Sequence, residues 1–582
     1  MESKTKEKLI FLAICFLAVF LMYGRTLWGD FVFDDRGILD HRAMLADLNQ
    51  LHRTLISPYW TEETGLYRPI TLATYSLNYF FFGSGAWGFH LVNLIFYALS
   101  GFLLFLVIDR VFGKKILAWT AAVLFLVLPI HTEAVANIVG RAEILALFFS
   151  LLFFWELTRH QINRWRPGLW FLLALGSKET AIAALPLALL IIYFYGRVKT
   201  DEAGPGEAAE DSLVKISWLE RKIGGLKFLP ADSFFKKSIF WKYFYPSLSI
   251  LAGGAIYFSV RLLILGRQYF SAVETSLVEN PLKFASGLDR LATAFKVLAI
   301  YLQKSFWPFG LCSDYSYNQI PVLHNFFNLA AIAGLAAFLF FIAGFFAFWR
   351  RAPVLSLASA WFLFSFLPVA NLIFPTGTIA GERLMYYPSL GLVLFLAWGL
   401  VALFEILRRQ LAAQNDKKRI WENFVFFALC PSLILFYGWH SYERSLDWLT
   451  EKRLFVSAVR CAPSSVLSRS NLGAVYYLEG NLAEAKKELL RAQEIYDSYP
   501  KGVNNLGLIY WKEGDKAKAR QYFLRTLSFR FPYYGAYENL ALMALEERNI
   551  KEAKDWLLKF YSGNEEAADL YIRIFFESQK KN

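Results

Sequence analysis

Cysteine is scarce in this chain. Its 582 residues contain four, Cys15, Cys312, Cys430 and Cys461, none at a short paired spacing, so the sequence points to neither a disulfide framework nor a zinc site. Charged residues make up only 19%, below the roughly one quarter usual for soluble domains. No Asn-x-Ser/Thr sequon occurs, and no retention signal follows Lys581-Asn582. What the chain has instead is apolar surface: 56% of its residues are hydrophobic, gathered into blocks long enough to cross a bilayer, which excludes an ordinary soluble fold. The net charge of +13 is not a nucleic-acid footprint, because the Lys and Arg residues sit in short segments between apolar blocks and form no single basic face.

After a basic start at Lys4, Lys6 and Lys8, an apolar run follows from Leu9 to about Trp28. It lacks a small-x-small cleavage site, so it reads as an uncleaved first span. Leu12-Ala-Ile-Cys15 is no lipoprotein box, since Ile14 stands where a small residue is needed. Further apolar runs predict spans near 88–109, 116–131, 142–158, 167–177, 180–196, 240–265, 325–349, 354–374, 386–407 and 421–440, about eleven crossings in all. Arg110, Lys114 and Lys115, then Arg159, Arg164 and Arg166, then Arg350 and Arg351, then the run from Arg408 to Arg419 all fall on the side of the N-terminus, which the positive-inside rule makes cytoplasmic. The segment 197–240 reads as a cytoplasmic linker, rich in Lys and Arg and carrying Gly-Pro-Gly at 204–206. The 29–87 loop and the C-terminus then lie outside. A span over 284–304 would carry Arg350 and Arg351 outside, so that stretch is read as an interfacial amphipathic helix.

From residue 441 the composition becomes soluble and a period of 34 emerges. Leu472-Gly473, Leu506-Gly507 and Leu540-Ala541 correspond, as do Tyr476 and Tyr510, Gly480 and Gly514, and Ala485, Ala519 and Ala553. This is the pattern of tetratricopeptide repeats (TPRs), near 467–500, 501–534 and 535–568, with a leading half repeat at 444–466. The small residues let paired helices approach, and Leu489, Phe523 and Leu557 fill the groove between repeats. The fold class is therefore all-α: a polytopic transmembrane helix bundle over 1–440, then a C-terminal TPR α-solenoid over 441–582.

Polar residues at the outer helix ends are the candidates for chemistry. Asp34 and Asp35 open the first outside loop; they read either as a solvated loop or helix cap, or as a general base and its orienting partner. His90 and Asn93 at the mouth of the second span suit interhelical hydrogen bonds or a site equally. Gly83 to Gly88 matches a dinucleotide fingerprint without the strand and helix that would give it meaning. His131, Glu133, Arg141 and Glu143 crowd the end of the third span, denser than packing alone requires. Lys178 and Glu179 lie between two short apolar segments, as an ion pair or facing an outward cavity. Glu382, Arg383 and Tyr386 precede the tenth span. Arg383 is suited to hold a phosphate bidentately, with Lys178 or Arg141 adding charge, or else pairs with Glu382.

The blocks FVFDD at 31–35, YRPIT at 67–71, GFHLVN at 88–93, LPIHTEAVANIVGRAE at 128–143, SKET at 177–180, PFGLCSDYSYNQIP at 308–321 and GERLMYYPSLG at 381–391, in this order and followed by TPRs, resemble the transmembrane and tetratricopeptide repeat O-mannosyltransferases of the GT-C glycosyltransferase superfamily. The resemblance covers nearly the whole chain and implies an inverting enzyme. It would move a hexose, mannose in the family's case, from a polyprenyl-phosphate carrier to an extracytoplasmic acceptor. By that resemblance Asp34 is the base and Asp35 its partner, or the reverse, while Arg383, Lys178 and Arg141 bind the donor phosphate. Neither a metal nor another obligatory cofactor is called for. Because TPR grooves bind peptides, a protein Ser or Thr is the favoured acceptor and a cell-surface glycan or glycolipid the alternative. The missing sequons and retention signal favour a bacterial inner membrane and an undecaprenyl carrier over an endoplasmic reticulum and dolichyl phosphate. A non-enzymatic membrane scaffold is the rival class; a transporter ranks last, since no inverted repeat is evident.

Overall fold

A helical residue advances about 1.5 Å, so crossing the apolar core of a bilayer takes roughly 20 residues. The computed structural model describes residues 2–60, 65–202, 237–266, 276–412 and 416–579, so most of the expected linker at 197–240 lies outside the described residues. Seven helices have the length and apolar composition to cross: Thr5–Trp28, Ala86–Phe112, Ile138–Leu157, Glu179–Val198, Tyr243–Leu265, Leu329–Ala347 and Ser389–Ile406. Lys115–Val127 and Pro129–Ala136, bent by 52° about Leu128, make an eighth if counted as one. The chain is thus an all-helical integral membrane protein, with no strand among the described residues.

The expectation of about eleven spans is corrected accordingly. The runs at 167–177 and 354–374 become Arg166–Ser177, of 12 residues, and Pro353–Phe366, of 14, each too short to cross alone. Hydropathy registers apolar residues but not where a helix stops, and here Pro167 and Pro353 open the helices while Pro368 follows the second. The run at 421–440 lies inside the helix Asp416–Ser445. The expected domain boundary at 440 and 441 falls within that helix.

The helix Gly287–Phe306 covers the stretch that the sequence left between a span and an interfacial helix. Ser286 caps it, its hydroxyl accepting from the Asp289 N–H. It buries Ala292, Phe295, Leu298 and Tyr301 against Leu329–Ala347. Gly334 makes the approach possible, since a Cβ there would lie 1.8 Å from the Phe295 carbonyl oxygen. The helix is not among those apolar enough to cross, and its flanks are bonded to each other, the Tyr317 N–H donating to the Val278 carbonyl at 2.8 Å.

The repeats form the helix pairs Val466–Leu478 with Leu482–Ile495, Pro500–Lys512 with Lys516–Leu527, and Gly535–Glu546 with Ile550–Phe560, closed by Glu565–Gln579. Each turn needs a left-handed residue, supplied by Gly480 (φ 79°), Gly514 (φ 90°) and Arg548 (φ 57°). The next residue in each, Asn481, Asp515 or Asn549, caps the second helix by accepting a backbone N–H three residues on. A shorter helix, Glu451–Cys461, leads the array. It is joined to the bundle by a disulfide between Cys312 and Cys461, which corrects the sequence reading that no disulfide is indicated: a partner 149 residues away leaves no trace in local spacing.

Candidate active site

The loop carrying the two acids is fixed at both ends before chemistry enters. Phe33 adopts φ 53°, a left-handed conformation that strains a bulky residue by about 1–3 kcal/mol. Its ring lies among Val32, Ala136, Trp448 and Leu454 and edge-on to Phe455 at 5.8 Å, contacts that hold the strained backbone in place. The Asp30 N–H donates to the Leu449 carbonyl at 3.0 Å, and Arg36 pairs with Glu451. The leading repeat helix therefore forms one wall of the loop.

Asp35 faces inward and is wholly buried. Its carboxylate accepts from the N–H groups of Val139 at 2.9 Å and Val32 at 3.3 Å, tying the loop to the turn after the bent third span. Burial pushes its pKa up to about 7; the backbone donors oppose that shift and the neighbouring Asp34 adds to it. Asp34 points the other way, with its side chain 34% exposed.

Asp34 meets Arg383, whose Nη1 lies 2.6 Å from its Oδ2 and 3.4 Å from Oε1 of Glu133. The Arg383 backbone N–H also donates to Glu133 Oε2 at 2.9 Å. Burial disfavours the Arg383 charge, but Asp34 and Glu133 more than offset it, so its pKa is raised. The residue before it, Glu382, does not pair with Arg383. It is buried, accepts from the Tyr315 hydroxyl at 2.6 Å and from the Cys312 N–H, and burial raises its pKa. Tyr301 steadies the same turn: the Gly381 N–H donates to its hydroxyl at 2.8 Å, which donates to the Gly381 carbonyl at 3.1 Å.

Two further ion pairs continue the charged lining. Lys178 pairs with Glu143, both almost fully buried, and Glu179 takes a bidentate grip from Arg68 at 2.7 and 3.1 Å. Glu143 acts electrostatically on both Arg68 and Arg383, so these groups form one field. Arg68 was quoted in the sequence only as part of a block, without a role of its own; its guanidinium lies 5.0 Å over the Tyr59 ring and faces Glu179, a pairing across 111 residues that no local pattern reveals. Arg141 is placed differently. It is fully buried, donates to Asn93 Oδ1 at 2.8 Å, Asn78 Oδ1 at 2.5 Å and the Phe89 carbonyl at 2.7 Å, and lies 4.8 Å over the Tyr75 ring. Those partners hold the guanidinium inside the bundle.

Asn93 also donates to the carbonyls of Asn137 at 3.2 Å and Ile138 at 3.3 Å, fixing the turn that binds Asp35. His90 is buried, its Nε2 3.4 Å from where a Gly29 Cβ would stand. His131 is buried between the Tyr97 hydroxyl at 3.0 Å and Ser389 Oγ at 2.6 Å, and Tyr386 packs its ring 4.9 Å from His131. These three line the packing behind the carboxylates. Among the described residues no group of three or more His, Cys, Asp or Glu is placed to hold a metal ion.

An ordered set of acids and arginines at the outer ends of apolar helices, with TPRs docked on them, can be compared with known proteins. The chain is similar to protein O-mannosyl-transferase F38B6.6 of Caenorhabditis elegans, 26% identical over 82% of this chain and 61% of the relative. The chain is a homologue of the transmembrane and tetratricopeptide repeat O-mannosyltransferases. Protein O-mannosyl-transferase Tmtc3 of Drosophila melanogaster is 26% identical over 83% of this chain and 55% of its own length; protein O-mannosyl-transferase TMTC4 of Homo sapiens is 28% identical over 80% and 63%. The chain spans between half and two thirds of the length of these relatives. Residues 501–530 match the tetratricopeptide repeat family.

Proposed function

We propose that this protein is an inverting glycosyltransferase that moves a hexose, mannose by the relatives' names, from a polyprenyl-phosphate carrier to a Ser or Thr hydroxyl of a protein. The observation that carries the reading is the Asp34–Arg383 pair at 2.6 Å: a partly exposed carboxylate held beside a guanidinium suited to phosphate. Asp34 is the base. It takes the proton of the acceptor hydroxyl while the hydroxyl oxygen attacks the anomeric carbon from the face opposite the phosphate. The bond from that carbon to the phosphate oxygen breaks, and the lipid phosphate leaves with the electron pair.

Arg383 couples the two halves of this reaction. With no donor present its charge serves Asp34 and Glu133; a phosphate drawing the guanidinium toward itself leaves Asp34 less stabilised as an anion, and so a stronger base. Lys178 and Arg68 lie in the same field and add to the attraction of the donor's negative charge. Transfer is on the extracytoplasmic side, a reading supported by the Cys312–Cys461 disulfide, which belongs to an oxidising compartment. The relatives compared come from animals, so they lend no weight to a bacterial membrane or to an undecaprenyl over a dolichyl carrier.

The test is reconstitution of the purified chain in liposomes with labelled polyprenyl-phosphate mannose and a protein acceptor. Asp34→Asn is expected to lower transfer by about 100-fold or more, with melting temperature and carrier binding kept. Transfer by Asp34→Asn at the wild-type rate sinks the assignment of the base. No transfer and no carrier binding by wild type turns the reading to a membrane scaffold.

A further inference from the structure

Asn471, Asn505 and Asn539 recur at the repeat period, each just before a buried leucine: Leu472, Leu506 and Leu540. Each stands on the first helix of its repeat. On Pro500–Lys512 the buried stripe is Val503, Leu506, Gly507 and Tyr510, and at about 100° per residue Asn505 lies on the opposite side. The same register holds for the other two. Three residues on come Ala474, Leu508 and Leu542, all half-buried, so an apolar lane runs beside the asparagines. Successive first helices face each other along this line, since Asn539 Nδ2 donates to Asn504 Oδ1 at 2.9 Å. The side-chain amides of Asn471 and Asn505 bond to no other described residue.

We propose that these amides form a ladder that grips an extended acceptor polypeptide by its main chain, an inference that rests on the protein-acceptor reading above. A primary amide presents an N–H donor and a C=O acceptor side by side, the complement of a peptide unit. Packed helices lie about 8–10 Å apart and an extended chain advances about 3.3 Å per residue, so about every third residue of a bound strand meets the next asparagine. The apolar lane receives the strand's side chains without selecting among them. Because the grip is on backbone groups, the occupant is an unfolded segment; in a folded domain those groups are already paired. The ladder is continuous with the site: the helix Glu451–Cys461 precedes the repeat of Asn471 and touches the Asp34 loop through Phe455 and Phe33.

The experiment uses the full chain in nanodiscs and short fluorescent Ser- and Thr-containing peptides of scrambled sequence, with a second set N-methylated along the backbone, read by anisotropy. The triple variant N471A/N505A/N539A is expected to bind every scrambled peptide about tenfold or more weakly, and wild type to bind the N-methylated set equally poorly. Asn505→Ala alone removes no bond within the chain, so a weaker effect in the same direction with unchanged melting separates binding from folding. Unchanged affinity in the triple variant overturns the ladder, as does affinity that follows peptide sequence but ignores N-methylation, or no peptide binding by wild type. Ladder-dependent binding by a wild type that transfers no sugar sustains the ladder and overturns only the catalytic reading.

Discussion

A carboxylate that is to accept a proton from a substrate needs access as well as charge, and of the adjacent acids only Asp34 has it; Asp35 is spent on the N–H groups of Val32 and Val139. Their roles separate in a pH experiment. Folding raises the Asp35 pKa from 3.8 to about 7, so its contribution to stability is complete below pH 3.8 and is lost as pH rises through about 7. Wild type is therefore expected to melt progressively lower across that window, while Asp35→Asn, less stable throughout because an amide offers one acceptor oxygen to two donors, shows a flatter profile. Equal slopes for the two proteins sink this account. Arg383→Lys keeps the charge but loses the planar fork, so transfer is expected to fall about tenfold or more, chiefly through a raised KM for the lipid donor. Asp34, Arg383 and Glu133 were legible in the sequence because a charge at the end of an apolar run stands out. Their pairing was not, since the sequence set Arg383 against Glu382 or a phosphate and the fold sets it against Asp34, 349 residues away.

Among elements, the repeat turns show what a 34-residue period does and does not convey. The period located every helix pair, because packing fixes Gly473 against Leu489 and Gly507 against Phe523, where a Cβ would come within 2.6 Å of each. It could not show that the third turn places Arg548 in the conformation glycine holds in the first two. Arg548→Gly is expected to stabilise the array by about 0.5–1 kcal/mol, read as a higher melting transition of the repeats; a lower one sinks the argument from backbone strain. The short helices Arg166–Ser177 and Pro353–Phe366 carry the converse lesson, since an apolar run reports what a segment is dissolved in and says little of how far it reaches.

At the scale of the whole molecule the repeats and the bundle work as one body around the acid loop. Phe455 supports Phe33, Leu449 holds Asp30, and beyond them the Val466 N–H donates to the Tyr317 carbonyl at 2.8 Å. Phe455→Ala is expected to lower kcat about tenfold with the donor KM unchanged, because it loosens the loop that aims Asp34 without touching the donor's charge partners. A change confined to KM counts against it. Cys312→Ser is expected to lower the stability of the junction by about 2–5 kcal/mol, seen as an earlier transition that reductant reproduces in wild type.

The bond between Cys312 and Cys461 also imposes a rule of parity. Two thiols oxidise together only in one aqueous space, so the chain between them crosses the bilayer an even number of times. Leu329–Ala347 and Ser389–Ile406 satisfy this by themselves; if Pro353–Phe366 and its continuation complete a third passage, Asp416–Ser445 must make a fourth. Phe33 touching Phe455 extends the rule back to the first loop. If the bent third helix crosses, five passages separate Asp34 from Cys312, and the short helix Arg166–Ser177 is obliged to supply the sixth.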